Sequence, residues 1–341
     1  MRFVFFVFFV VSIRGIMQPD THTASAPGKL ILCGEHAVVY GRPAIALPLR
    51  DLRATVTVAP AQAGIHFAAP NLGDAWRLDQ RPDDPLSLLT GEVLRYLGAP
   101  PDLALAIRIT SVIPVASGMG SGAAVATALV RALAAHAGKH LQPADVSALV
   151  YANERRLHGT PSGIDNTVVA YEQPIWFERN TGPEVKSQLF PISIVESFTV
   201  LIGDTGVRSA TKLPVGDLRR RWQADTPHYE ALFDQVGTIT HAARATLASG
   251  NIAELGRLLD ANHTLLQEIG VSSVELNTLV DAAKHAGALG AKLSGAGWGG
   301  VMLALVAPGD TGRVAASLRA AGAANVLETT VAPAQIPLFR L

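Results

Sequence analysis

Pro114-Val115-Ala116-Ser117-Gly118-Met119-Gly120-Ser121-Gly122-Ala123-Ala124 is the stretch on which the reading of this chain turns. An apolar run, Leu103 to Ile113, precedes it, and Ala123 to Ala137, rich in Ala, Val and Leu, follows it. The predicted order is strand, glycine loop, helix. Glycines at alternate positions let the backbone turn tightly and gather several N–H groups around a ligand. The helix behind them directs its positive end at the same point. A polyphosphate suits that arrangement, and a packing turn between strand and helix is the alternative. No lysine follows Gly122, so this is not the G-x-x-x-x-G-K-[ST] loop. Ala123 stands where the third glycine of G-x-G-x-x-G would fall. Asp145 lies at a distance that suits a ribose partner, yet Pro143-Ala144-Asp145 reads as the start of the next helix. A nicotinamide-dependent oxidoreductase is therefore the remote alternative.

Outward from the loop, Ala54 to Val58 alternates as a half-exposed strand, and Pro82 to Leu97 reads as a loop and then a helix. The helix after the glycine loop is expected to end at Gly138, and another to span Ala144 to Leu157. Phe198 to Ile202 reads as a strand. Helices are expected around Asp217–Trp222, His228–Ser249, Ile252–Ile269 and Asn277–Ala286. A second glycine cluster, Gly295-Ala296-Gly297-Trp298-Gly299-Gly300, leads into an apolar strand, Val301 to Val306. Strands and helices in unequal runs predict an α+β fold rather than a doubly wound sheet.

At 341 residues the chain is long enough for two domains, and Asn180-Thr181-Gly182-Pro183 marks a break. The expected division is 17–190 and 191–341. Lys+Arg and Asp+Glu balance at 28 each, which points to a small-molecule partner rather than nucleic acid or a membrane surface. Cys33 is the only cysteine, so there is no intrachain disulfide and the usage fits a reducing, cytoplasmic setting. Phe3 to Val11 is an apolar run too short to span a bilayer as a helix. Arg2 before it resembles a signal peptide, but Ser12-Ile13-Arg14-Gly15 offers no small-x-small cleavage site. The expectation is that Met17 is the true start and that residues 1–16 are a mis-assigned extension.

Four groups of residues could carry chemistry. Lys29 opens an apolar run after Pro27-Gly28, with Glu35 and His36 beyond it beside Gly34. A lysine at a strand start is usually a solvated charge, and Glu35 and His36 read equally as loop residues. Ser121 offers a hydroxyl to a phosphate or to Mg²⁺. Glu154 borders the apolar stripe Val146, Leu149, Val150 and Leu157, and Asp165 follows the turn-forming Gly159-Thr160-Pro161-Ser162-Gly163. Two carboxylates near one turn suit metal binding by one and proton acceptance by the other. Spacing alone favours a salt bridge to Arg155 or Arg156 and a helix-capping aspartate. The fourth group, Lys292 to Gly300, is either a ligand-approaching turn or a tight connection. Taken together, a phosphate loop, a lysine and two carboxylates are the parts phosphoryl transfer requires.

These motifs, in this order, resemble the GHMP family of small-molecule kinases, over nearly all of residues 24–306. Pro27-Gly28-Lys29 with Gly34-Glu35-His36-Ala37-Val38-Val39-Tyr40-Gly41 is similar to the family's first motif in its mevalonate-kinase form. Pro114 to Ala124 is similar to the second and Lys292 to Gly300 to the third. Glu154 to Asn166, Asn262-His263-Thr264-Leu265-Leu266 and Gly270-Val271-Ser272 also match that branch.

The resemblance implies an N-terminal domain like ribosomal protein S5 domain 2, a ferredoxin-like C-terminal domain and a cleft between them. It implies ATP as co-substrate, Mg²⁺ as cofactor, mevalonate as acceptor at the head of isoprenoid precursor synthesis, and a homodimer. Asp165 would then be the base and Lys29 its catalytic partner. Pro114, Ser117, Gly118, Met119, Gly120, Ser121, Gly122 and Ala123 would hold the nucleotide, and Ser121 and Glu154 the metal. Lys29, Glu35, His36, Asp165, Thr205 and Arg208 would line the acceptor side. Other acceptors used in the family, such as phosphomevalonate, homoserine or a sugar, or another hydroxyl of mevalonate, are the neighbouring readings. Two departures stand out. Gly122 replaces a second serine common in the loop, and Trp298 sits where a small residue is usual, where it would narrow the nucleotide cleft or stack on a ligand.

Overall fold

The computed structural model describes residues 20–100, 102–114, 117–158, 161–179, 187–208 and 212–334. The segment 1–16 and the break at 180–183 lie outside these residues. β1 (His22–Cys33) runs antiparallel to β2 (Ala44–Pro60). The first six residues of β2 are all buried, whereas from Leu52 onward buried and half-buried positions alternate. Its start is thus covered on both faces and its end on one. The strand read from sequence as Ala54 to Val58 is the second half of this longer element. β1 borders one edge of β2. The other edge takes β6 (Ile175–Arg179) near its start and β5 (Leu105–Ser111) near its end. β3 (Ile65–Ala69), β4 (Asp74–Arg77) and β7 (Ser187–Pro191) complete a sheet in the order β4-β3-β5-β2-β6-β7, with β1 beside β2.

Four helices cover this sheet: α1 (Pro85–Tyr96), α2 (Ser121–His136), α3 (Pro143–His158) and α4 (Ile164–Tyr171). Helix α2 is apolar nearly all round, with ten buried residues from Ala123 to Ala134. Such a helix must be surrounded, and α2 packs on β1 and β2 with α1, α3 and α4 about it. Asp145 lies in the first turn of α3.

The second sheet begins with β8 (Phe198–Asp204), followed by α5 (Lys212–Ala224), α6 (Thr226–Ser249), α7 (Ile252–Glu268) and α8 (Val274–His285). The hairpin β9 (Gly290–Ser294) and β10 (Val301–Val306), α9 (Thr311–Ala320) and β11 (Asn325–Val331) complete it. The strand order β11-β8-β10-β9, all antiparallel, is that of a ferredoxin-like βαββαβ unit with extra helices in its first crossover. Met302, Ala304 and Val306 face α8 and α9, while Val301, Leu303 and Leu305 join the same core as β1, β2 and α2. One apolar core therefore runs between the sheets.

The α+β expectation holds. Several boundaries move for local reasons. Helix α8 starts at Val274 rather than Asn277, because Ser273 caps it, accepting from the Leu276 N–H at 3.4 Å. Helix α5 covers Lys212–Ala224, more than the expected Asp217–Trp222. Helix α4, β6, β7, α9 and β11 were not anticipated from the sequence.

Candidate active site

The site begins with an irregularity in β1. Pro27 pairs with Arg53, but Gly28 pairs with Leu49, so the ladder slips between them. Such a bulge bends a strand and re-aims its side chains. Here it brings β1 against the glycine loop: the Lys29 N–H donates to the Met119 carbonyl at 2.9 Å. A Cβ on Gly28 would lie 2.9 Å from that same oxygen, so the close approach needs glycine. Lys29 is thus a mid-strand residue, not the opening of one, and not a solvated charge. Its side chain is 6 % exposed, and its Nζ lies 3.2 Å from Asp165 Oδ1, whose side chain is 35 % exposed.

Asp165 is held by α4. Gly163, at φ 89°, is the residue before that helix, and Asp165 follows in the first turn, where a carboxylate is favoured. Ile164, Val168 and Val169 are buried and fix the helix on the core. The capping alternative for Asp165 is set aside, since Gly163 holds the cap position. Arg156 bonds Glu92 at 2.6 Å.

In the loop, the Met119 side chain is buried in the core and the Ser117 hydroxyl donates to the Pro114 carbonyl at 2.8 Å. Both side chains shape the turn, leaving backbone to face a ligand. Gly120 has φ 70°, and a Cβ there would lie 2.8 Å from Lys29 Cγ. Ser121 and Gly122 open α2, with Ala123 buried behind them. A Cβ on Gly122 would sit 3.8 Å from Glu154 Oε1, so the buried Glu154 on α3 faces this turn. The third motif lies opposite: a Cβ on Gly118 would be 3.9 Å from the Ser294 carbonyl, and one on Gly295 3.9 Å from Gly118 Cα. Two stretches of nearly bare backbone come close to each other between the two sheets.

Behind these turns the chain is laced together. Glu35 is 1 % exposed and pairs with Lys292, which is fully buried and also donates to the Leu293 carbonyl at 2.6 Å. Burial pushes the Glu35 carboxyl up against the opposing pull of Lys292. The same burial raises the Cys33 thiol to about 12, so it is inert. His36, at φ 61°, donates through Nε2 to the Ala296 carbonyl at 3.0 Å. Burial lowers it to about 4, so the ring is neutral at pH 7. A lysine inside the apolar run Ala291–Leu293 was the one signal in the sequence for Lys292; nothing marked Glu35 as its partner.

Thr205 and Arg208 occupy the turn after β8. The Thr205 hydroxyl donates to the Gly300 carbonyl at 2.8 Å and accepts from the Val207 N–H at 3.2 Å. Arg208 holds the buried Asp204 through bonds of 3.0 and 3.1 Å. The Trp298 indole N–H donates to the Gly270 carbonyl at 3.0 Å, and its backbone N–H to Val271 at 2.9 Å. Its ring fastens the third glycine turn to the α7–α8 connection.

For a divalent cation the donor set is sparse. Among the described residues no group of three or more His, Cys, Asp or Glu side chains could hold a metal alone. Glu154 and the Ser121 hydroxyl are hard oxygen donors at the mouth of the loop. One carboxylate with nucleotide phosphates and water is an ordinary set for Mg²⁺, so the residues fit such an ion brought in with a nucleotide. Among the described residues no helix is long and apolar enough to cross a membrane.

Comparison with known proteins gives a consistent picture. Residues 88–173 match the model of the GHMP kinases N terminal domain, and residues 243–324 that of the GHMP kinases C terminal domain. A mevalonate kinase of Pyrococcus horikoshii is 35% identical over 319 residues, covering 88% of this chain and 92% of that protein. One of Thermococcus onnurineus is 35% identical over 320 residues, covering 88% and 93%. Among solved structures, L. major mevalonate kinase in complex with R-mevalonate superposes with a TM-score of 0.80 at 30% identity, over 93% of this chain and 98% of that one.

Proposed function

The chain belongs to the GHMP kinase family, and on that premise we propose that it transfers the γ-phosphoryl group of ATP to the primary C5 hydroxyl of (R)-mevalonate, giving 5-phosphomevalonate and ADP. The observation that carries this reading is the Lys29–Asp165 pair, 3.2 Å apart and set directly beneath Gly120 of the glycine loop. A base and a cation at the foot of a phosphate cradle are what an alcohol kinase needs.

In the reaction, Asp165 accepts the proton as the acceptor oxygen attacks. The new O–P bond forms in line with the bond to ADP that breaks. The Lys29 ammonium stabilises the developing alkoxide and the transferring phosphoryl group. Backbone N–H groups of Gly118 to Ala123 and the N-terminus of α2 take the nucleotide phosphates. Glu154 and Ser121 would hold Mg²⁺, which supplies charge neutralisation on those phosphates. His36, neutral and anchored to Ala296, borders the acceptor space, and the turn bearing Thr205 and Arg208 closes its far side. The balanced charge and single cysteine support a cytoplasmic enzyme with small-molecule substrates only. The homodimer rests on the family resemblance and is read by sedimentation.

The test is an ADP-release assay with Mg-ATP on mevalonate, phosphomevalonate, homoserine and galactose. Turnover on mevalonate at least about a hundredfold above the rest is expected, since a misfit acceptor forfeits near-attack geometry. Preferential turnover of another acceptor would keep the family and discard the substrate.

A further inference from the structure

Two segments that come from opposite sheets meet in a seam behind the facing glycine turns. Ile31, Glu35 and His36 lie on one side, and Lys292, Ser294 and Ala296 on the other. The Ser294 hydroxyl donates to the Ile31 carbonyl at 2.9 Å and accepts the Ile31 N–H at 3.2 Å. Lys292 pairs with Glu35. The His36 Nε2–H donates to the Ala296 carbonyl at 3.0 Å. These are three rungs between parts of the chain about 260 residues apart.

The ion-pair rung is the anomalous one. Both its charges are fully desolvated, and Glu35 Oε2 has no partner among the described residues. A buried ion pair is a poor source of stability, because apolar residues of similar size often serve as well or better. What an ion pair offers beyond an apolar contact is a defined register. Its placement matches that use. Lys29 lies two residues before Ile31 on the same strand, and Ser294 leads directly into Gly295, which faces Gly118 of the nucleotide loop.

We propose that Lys292 and Glu35 are positioning residues for phosphoryl transfer. Their ion pair sets the register between the strand that carries Lys29 and the glycine turn 295–300 that confronts the nucleotide loop, without either side chain touching a substrate. Glu35 acts on the acceptor side only through the segment it anchors. The inference rests on the kinase reading, which the wild-type acceptor assay decides separately.

The test is the double variant Glu35→Met, Lys292→Met, which removes both charges and keeps two long side chains in the seam. The expected result is a melting temperature within a few degrees of wild type, with kcat at least tenfold lower and KM for ATP and acceptor both raised. A purely structural pair would shift melting and leave the kinetics of the folded enzyme untouched. Wild-type kcat and KM values in the folded double variant would therefore overturn the proposal. If that variant does not fold, Ser294→Ala reads the same seam one rung away and leaves no charge behind. A fall in its kcat of threefold or more supports the proposal, and unchanged kcat and KM overturn it.

Discussion

Lys29 is a lysine with little water left to solvate it, and among the described residues its only neighbour of opposite charge at contact distance is Asp165, at 3.2 Å. The pair links a strand, a glycine loop and a short helix at one point, so its substitutions should act on turnover more than on binding. Asp165→Asn keeps the shape and removes the proton acceptor. Its kcat should fall by roughly 10²–10⁴-fold, the usual worth of a general base, with the nucleotide Kd nearly unchanged by titration calorimetry. Gly120→Ala meets two obstacles: a φ of 70° and a Cβ only 2.8 Å from Lys29 Cγ. The backbone strain costs about 1–3 kcal/mol, and the lysine is displaced. Lower melting and a kcat reduced tenfold or more are expected together. Gly122 behaves differently. A Cβ there reaches Glu154 Oε1 at an ordinary 3.8 Å, so Gly122→Ser should fold normally and add a hard oxygen beside Glu154. Half-saturation by Mg²⁺ should move to lower concentration, and an unchanged Mg²⁺ dependence would detach Glu154 from the metal.

At the level of elements, β9 is the edge of its sheet, and edges need covering. Helix α7 does this with side chains three residues apart: Asp260 Oδ1 accepts the Ala291 N–H at 2.8 Å, and His263 Nδ1 accepts the Leu293 N–H at 3.3 Å. An imidazole that accepts at Nδ1 must be neutral there, and burial holds His263 down to about 4, as it does His36. Unfolded, both rings titrate near their ordinary 6.5. Above that pH neither state binds the proton, and both rings leave stability unchanged. As pH falls from 6.5 toward 4 only the unfolded chain takes protons up, so stability is lost. The loss between pH 7 and pH 5 is about 2 kcal/mol for each ring. Urea melts at the two values should show that fall, and His263→Asn, which keeps an acceptor but does not titrate, should remove about half of it. A pH-independent midpoint would contradict the burial argument. The same elements show what sequence could disclose. The loop at 117–122 and helix α2 were legible because glycine spacing and a long apolar run are local properties. Helix α4 was not, since eight residues after Pro161-Ser162-Gly163 carry too little periodicity. Nor was the Glu35–Lys292 pair, whose partners only folding brings together.

Across the whole molecule, a single apolar core passes from the seven-stranded sheet to the ferredoxin-like one, and the glycine turns meet at its rim. That continuity explains how Lys29 from one half and the third glycine motif from the other are held in a fixed relation. A nucleotide entering over α2 and an acceptor entering over α4 would converge on the Lys29–Asp165 pair. Mevalonate offers two hydroxyls, a primary one at C5 and a tertiary one at C3, and the proposed transfer is to the first. The decisive measurement is phosphorus–proton correlation NMR on the product formed from Mg-ATP and (R)-mevalonate. A phosphorus coupled to the C5 methylene protons is expected. Phosphorus attached to the C3 oxygen, with no coupling to that methylene, or no phosphorylated mevalonate at all, would contradict it.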